Sequence, residues 1–480
     1  MSILVIDVGT SSIRAAMVGP DSRVTHVHRR ALPPDTPMAG LVEFDPAAMA
    51  AAALDVARQT LAAAGEAPAA VGVCSQRAST VAWDGRTGEP LGPGLGWQDL
   101  RTVGACLELQ GKGLRFSPSE SATKFAWHAD QHQGRPDLRL GTVDSWIAWN
   151  LTGGACHITD ATNAAVTGLY DLGRGGWRHD HLEKLGLDPG WLPAVVDSSG
   201  RLGVASALPG QPPLCALVGD QQASLVGQGC TRRGLAKATF GTGGMLDVCL
   251  GGDRPERADR SRHGCFPIVA WQQEGRVTWG SEAIMLAAGT AVDWLVEDMQ
   301  LITSPAESEE LAASCPDTGG VVMVPGLLGF GTPQWDFGAR GALFGITRGT
   351  HRAHIVRAVL EGVAHSGADL LEATEADTGL RIGSLRVDGG MSANRVFVQA
   401  LADACGRPVE VSRELEATTL GAGYLAGLAT GMWSGTDQVA DAWSPRETVD
   451  PSGADAGRER WRTAVERAGR WYPDLSAITF

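Results

Sequence analysis

Asp220 stands inside Leu217-Val-Gly-Asp-Gln-Gln-Ala-Ser-Leu-Val-Gly-Gln-Gly229, where a short apolar run and a glycine lead into an apolar helix start. A carboxylate fixed at a strand end, at the mouth of an α/β cleft, can take a proton from a bound hydroxyl. The same aspartate can equally serve as a plain helix N-cap. A second candidate is Asp7-Val-Gly-Thr-Ser-Ser12, between the apolar runs Ile3–Ile6 and Ile13–Val18. Strand, small-residue turn and strand make a hairpin whose N–H and hydroxyl groups can grip a phosphate, while Asp7 can hold a magnesium ion directly or through water. Read alone, it is also an ordinary hairpin turn. No Gly-Lys-Ser/Thr follows, so it is not a Walker loop. Ala236-Lys-Ala-Thr-Phe-Gly-Thr-Gly-Gly-Met245 repeats the strand, glycine-hydroxyl turn, strand pattern. In Asp388-Gly-Gly-Met-Ser-Ala-Asn394 two adjacent glycines admit a nucleotide to the backbone, with Asn394 in reach of a ribose or phosphate. His128 and His132 share helical spacing without an evident third ligand, and are expected as surface histidines.

The elements that must position these groups read as follows. Ile3–Ile6, Val71–Ser75, Ala216–Val218 and the run from Leu385 are buried strands. Val71–Ser75 delivers Gln76 and Arg77 at its end. Asp45-Pro46 opens a helix that closes at Gly65, with an N-cap, a first-turn proline and a terminal glycine. Val143–Leu151 is a helix whose two tryptophans belong to the core. Trp97 follows a Gly/Pro loop, Asp160-Ala-Thr-Asn163 lies in a polar loop, and Ala287–Leu295, which includes Asp293, opens a helix. The two similar hairpins imply internal duplication of one α/β unit. Arg458–Arg470 reads as a charged, solvated surface helix.

A chain of 480 residues with 44% hydrophobic content can bury two cores. Net charge −14 and a pI near 5.3 argue against nucleic acid and anionic membrane surfaces. Nine scattered cysteines without Cys-x-x-Cys suit buried thiols in a reducing cytosol. No basic segment leads into an apolar stretch at the N-terminus, and no apolar run is long enough to span a membrane, so a soluble cytoplasmic protein is expected.

Taken in order, Asp7–Ser12, Ser75-Gln-Arg77, Asp160–Asn163, Gly219-Asp-Gln-Gln222, Gly241-Thr-Gly243 and Asp388-Gly-Gly390 resemble the FGGY family of carbohydrate kinases, closest to its glycerol kinase branch. Gly341-Ala-Leu-Phe-Gly-Ile346 followed after seven residues by His354–Glu361 resembles the family's C-terminal signature. The resemblance implies two actin/hexokinase-like (ribonuclease H-like) α/β domains with an interdomain cleft. Residues 1–230 would hold the acceptor, phosphate loop and base, 234–433 most of the ATP, and 434–480 a tail with its surface helix. It implies ATP-dependent phosphorylation of a hydroxyl on a small polyol or sugar, with Mg²⁺, in a homodimer whose cleft closes about Gly229–Gly234. By position, Asp220 matches the general base and Asp7 the residue near Mg²⁺. Thr10, Ser11, Ser12 and Arg14 match the phosphate loop, and Thr242, Gly289, Asp293, Gly390 and Asn394 nucleotide positions. Arg77, Trp97 and Gln221 match the acceptor pocket.

Departures gather in that pocket. Ala78 stands where the branch has Glu, Ser119 (followed by Glu120) where it has Tyr, and Met245 where it has Phe. Asp293 replaces a glutamine, and Ala207–Pro213 lacks the Gly-Thr-Arg pattern of an inhibitory sugar-bisphosphate site, so that regulation is not expected. A pocket that has lost two polar contacts and one aromatic wall should favour an acceptor other than glycerol. The alternatives are a xylulose-type ketose kinase, which Asp7-Val-Gly-Thr-Ser11 also resembles, and a catalytically weak sugar-binding regulatory protein on the same fold. A non-sugar ATPase is a further, weaker one.

Overall fold

The computed structural model describes residues 2–255, 259–414 and 416–478. Its first half contains strands β1 (Ile3–Val8), β2 (Ser12–Val18), β3 (Val24–Ala31), β4 (Ala70–Ser75) and β5 (Pro213–Gly219), in the spatial order β3-β2-β1-β4-β5. The second half repeats it with β6 (Ala236–Phe240), β7 (Gly244–Gly251), β8 (Arg276–Met285), β9 (Leu385–Asp388) and β10 (Val409–Ser412), in the order β8-β7-β6-β9-β10. In both, three antiparallel strands are followed by two parallel ones. Strands Ser199–Val204 and Phe266–Gln273 link β5 to β8, so the halves share one 13-stranded sheet. The duplicated hairpins of the sequence are thus duplicated sheets of the actin/hexokinase type.

Local sequence explains the parts. β1 and β4 are buried along their whole length, as continuous apolar runs in parallel pairing demand. The edge strand β3 is mostly exposed and carries His26, His28, Arg29 and Arg30, which discourages edge-to-edge pairing. Helix Pro46–Ala64 starts where Asp45 accepts the N–H groups of Ala47 and Ala48 at 2.8 and 3.1 Å, and ends at Gly65 with φ 65°. Its Met49, Val56 and Leu61 pack with Leu4 and Ile6 of β1.

Helix Ala417–Thr430 lies late in the chain but covers the first half's sheet, its Leu420, Tyr424 and Leu425 packing with Ile3, Val5 and Val218. It crosses helix Asp220–Gly227 at Gly421 and Gly227. A Cβ at either glycine would run into the carbonyl of Ala223 or Ala417, so the backbones meet directly. Between Gly229 and Gly234, Thr231 donates to the Thr436 carbonyl at 2.7 Å, and Arg232 pairs with Asp437 and Asp441.

Three local expectations change. Asp160–Asn163 is not a polar loop: Asp160 caps a buried helical turn, Ala161–Ala165. His128 is no surface histidine, being buried with Nε2 at 3.2 Å from the Thr80 hydroxyl. Arg458–Ala468 is a surface helix with a packed inner face, where Trp461, Ala464 and Val465 meet Val324 and Trp461 Nε1 donates to Asp369.

Candidate active site

Asp220 is the first residue of its helix, directly after β5. Gly219 is fixed by its N–H, which donates to Thr162 Oγ1 at 2.8 Å, and Thr162 sits on the turn that Asp160 caps. The Asp160–Asn163 motif therefore braces the backbone that aims Asp220. The Asp220 side chain keeps 31% exposure and faces the Arg77 Nε at 3.4 Å. Enclosure pushes its carboxyl above the ordinary value of 3.8; Arg77, the Gln221 N–H and Lys237 oppose the rise, and Glu282 adds to it.

Arg77 follows β4 and reaches across to the second half, where its NH1 meets Glu282 Oε2 at 2.8 Å and its NH2 lies 3.8 Å from the Met245 sulfur. Burial disfavours its charge, but Glu282, Asp220 and Asp247 together hold the guanidinium protonated. Gln221 is also held from that side, its Oε1 accepting from Lys237 Nζ at 2.8 Å.

Ala78 has φ 62°, and the Ser79 N–H bonds the Arg77 carbonyl at 2.8 Å. This is the rarer, strained form of γ-turn, in a left-handed region that Cβ-bearing residues avoid. Ser121 donates to the Ala78 carbonyl at 3.1 Å, which sets the 117–121 loop against this turn. Ser119 is exposed. The Glu120 carboxylate accepts from the Ser117 N–H at 3.0 Å, and burial pushes it up to about 7. Trp97 is gripped at every polar point. Its N–H donates to Ser79 Oγ at 3.0 Å, its carbonyl accepts from Lys124 Nζ at 3.2 Å, and its indole donates to Thr10 Oγ1 at 3.2 Å. Trp97, the Ser79 turn and the Asp7–Ser12 hairpin are thereby one connected unit.

In the hairpin Asp7 is the penultimate residue of β1, buried, with Arg14 Nε at 3.5 Å and Glu416 on the far side of Arg14. Burial raises the Asp7 carboxyl, Arg14 opposes this, and Asp220 adds to the rise. Ser11 is exposed, whereas the Ser12 hydroxyl accepts from Arg29 Nε at 3.0 Å. In the second half three glycine turns converge. Gly289 donates to the Gly241 carbonyl at 2.8 Å, and Ala288 and Thr290 donate to the Thr242 carbonyl. A Cβ on Gly289 would lie 2.6 Å from Gly241 O, and one on Gly389 (φ 86°) would meet the Phe240 carbonyl. Gly390 and Asp293 are exposed beside these turns. Asn394 caps helix Arg395–Cys405 by accepting from the Phe397 N–H, and donates to Ser308 Oγ, both at 3.0 Å. Both ends of its amide are engaged.

The sequence reading missed Lys237, Asp247 and Glu282. Each sits in an apolar strand whose pattern hides it, and only strand register places the three side by side.

Models of the FGGY family of carbohydrate kinases match this chain in two parts, the N-terminal domain over residues 2–227 and the C-terminal domain over 236–430. The glycerol kinase of Aromatoleum aromaticum is 41% identical, covering 98% of this chain and 99% of its own length. The crystal structure of Plasmodium falciparum glycerol kinase with ADP superposes with a TM-score of 0.89 at 27% identity, over 100% of this chain and 99% of the other. Ligand-bound xylulose kinase from Lactobacillus acidophilus, at 18% identity and a TM-score of 0.85 over 97% of both chains, shares the fold.

Proposed function

This chain belongs to the FGGY family of carbohydrate kinases, as a glycerol kinase-like enzyme using ATP, and from that premise we propose how its residues divide the reaction. Asp220 is the general base for the acceptor hydroxyl, with Arg77 and Gln221 orienting the reacting end and Trp97 forming a wall. The observation that carries this is the Asp220–Arg77 pair at 3.4 Å, fixed at a strand end by the Thr162 brace. A raised carboxyl suits the role, since a base closer to neutrality gains driving force for accepting the proton.

Thr10, Ser11 and Arg14 face the transferring phosphoryl group, with Ser12 supporting the turn through Arg29. Thr242, Gly289, Gly390 and Asn394 flank the nucleotide from the second half, Asn394 chiefly by starting its helix, and Asp293 lies at the rim. Asp7 offers a hard carboxylate oxygen whose charge is made costly by burial and further by Asp220, against the pull of Arg14, a need that a divalent cation meets, so Mg²⁺ fits there. When bound with ATP it would neutralise phosphate charge. The chain's own residues position and desolvate the reactants.

The acceptor is a small polyol or open-chain sugar, and one of four or five carbons is preferred over glycerol. Ala78 presents only a methyl group at the turn, while Ser119 and Glu120 border the adjacent space and Met245 lines the far side. The homodimer and the cytoplasmic location belong to the same family-based reading; no helix among the described residues is long and apolar enough to cross a membrane. A coupled ADP-release screen with Mg-ATP over glycerol, tetritols, pentitols, pentuloses and hexoses tests the assignment. Turnover of a longer polyol above glycerol is expected. ADP release with none of the panel would overturn it.

A further inference from the structure

Lys237, Asp247 and Glu282 lie on β6, β7 and β8 as direct register partners, Lys237 opposite Asp247 and Asp247 opposite Glu282. They form a row of ionisable side chains on one face of the second half's sheet, Lys237 Nζ meeting Asp247 Oδ2 at 2.8 Å with both side chains fully buried. Each buried ion costs several kcal/mol of desolvation unless it is well paired, so a purely structural reason for the row is weak. Its outward contacts are informative. Lys237 holds Gln221, and Glu282 holds Arg77, both across the cleft.

We propose that Glu282 and Lys237 are positioning residues for the acceptor site, fixing Arg77 and Gln221 from the opposite half of the molecule. The inference rests on the reading of Arg77 and Gln221 as acceptor contacts.

Arg77 stands between two carboxylates, and Glu282 at 2.8 Å holds it more closely than Asp220 at 3.4 Å. With NH1 committed to Glu282, NH2 faces the weakly accepting Met245 sulfur at 3.8 Å and is the end offered to an acceptor hydroxyl. Without Glu282 the guanidinium is free to fold onto Asp220. That would misdirect the donor and bind the base in an ion pair. The charged and titratable groups facing Asp220 are Arg77, Lys237, Glu282, Asp7 and Cys74, with Asp247 one strand behind Glu282. Removing the Glu282 charge and releasing Arg77 both favour the Asp220 carboxylate, so both move its titration to lower pH.

The test compares Glu282→Gln, Arg77→Gln and the double variant. Glu282→Gln should raise the acceptor KM about 10–100-fold, the range that a misplacement of roughly 1 Å can cost. The ATP KM should stay within about twofold, and the acid limb of kcat/KM should move down in pH. In the Arg77→Gln background, Glu282→Gln should add less than about twofold to the acceptor KM, because the side chain it positions is gone. The double variant removes both charges of the buried pair, so this comparison holds even if Glu282→Gln alone folds poorly. An unchanged acceptor KM and acid limb in Glu282→Gln, or a further tenfold rise in the double variant, would overturn the positioning role. If Arg77→Gln itself leaves the acceptor KM unchanged, the acceptor-site reading fails instead.

Discussion

The two walls of the proposed site are built by different means. The proposed acceptor wall is made of side chains that grip one another: Arg77 on Glu282, Gln221 on Lys237, Trp97 on Thr10. The proposed nucleotide wall is made of backbone, with Gly289 against Gly241 and Gly389 against Phe240. Side-chain contacts can be exchanged one at a time, so the acceptor wall is where a family of kinases can change substrate. Backbone contacts that exclude even a methyl group cannot be varied in this way, and they suit the part of the reaction that all members share.

Removing the base should give the largest effect. Asp220→Asn is expected to lower kcat by ~10²–10⁴-fold while ATP-analogue binding and folding persist; a variant that keeps most of its turnover takes Asp220 out of the mechanism. Next comes acceptor choice. At least one four- or five-carbon acceptor should exceed glycerol in kcat/KM, and Ala78→Glu should narrow or reverse a gap of up to ~10²-fold. Glycerol leading the panel, with Ala78→Glu leaving the ranking untouched, would remove the significance given to Ala78.

On the opposite wall, Gly289→Ala puts a Cβ 2.6 Å from Gly241 O. Overpacking of this kind costs about 1–3 kcal/mol, and should appear as a raised ATP KM with the acceptor ranking preserved. An altered ranking would break the division between the walls. The pH profile of the unmodified enzyme sharpens it further. Asp220 must be ionised to act, so kcat/KM should fall as pH drops through its raised pKa, with the acid limb above the ordinary aspartate value of 3.8. A limb at or below 3.8 would contradict the enclosure of the carboxylate. The smallest effect concerns the strained turn. Ala78→Gly relieves a left-handed conformation costing about 1–2 kcal/mol but adds chain entropy of about 0.5–1 kcal/mol on unfolding. A Tm rise of about 2 °C or less is expected by calorimetry; a fall would mean the turn carries no strain.

Local signals made much of this legible. Asp45 and Gly65 bound their helix because a cap and a left-handed glycine act on neighbouring residues. Val143–Leu151 has no side-chain cap and no terminal glycine, and was legible through its apolar residues and its two tryptophans instead. The helical spacing of His128 and His132 did not tell that His128 turns inward, since that depends on distant Thr80. Lys237, Asp247 and Glu282 left no local trace. They meet through strand register, and a lone charge in an apolar strand reads as an edge or an irregularity until its partners are known. Asn394 gave a polar group near a glycine turn, but not that its amide is engaged by Phe397 and Ser308.

Helix Ala417–Thr430, which roofs the first half's sheet, has a consequence for how the protein comes into being. At about 5–20 residues per second of synthesis, the stretch of roughly 190 residues separating it from the Asp220 helix takes about 10–40 s to emerge. Through that interval the nascent first half shows the apolar face of Ile3, Val5 and Val218 without its cover. A ribosome-bound intermediate of this kind is a substrate for chaperones, and a fragment cut at the midpoint would carry the same bare face into solution. A helix made late in synthesis is thus what covers the apolar face of the first half.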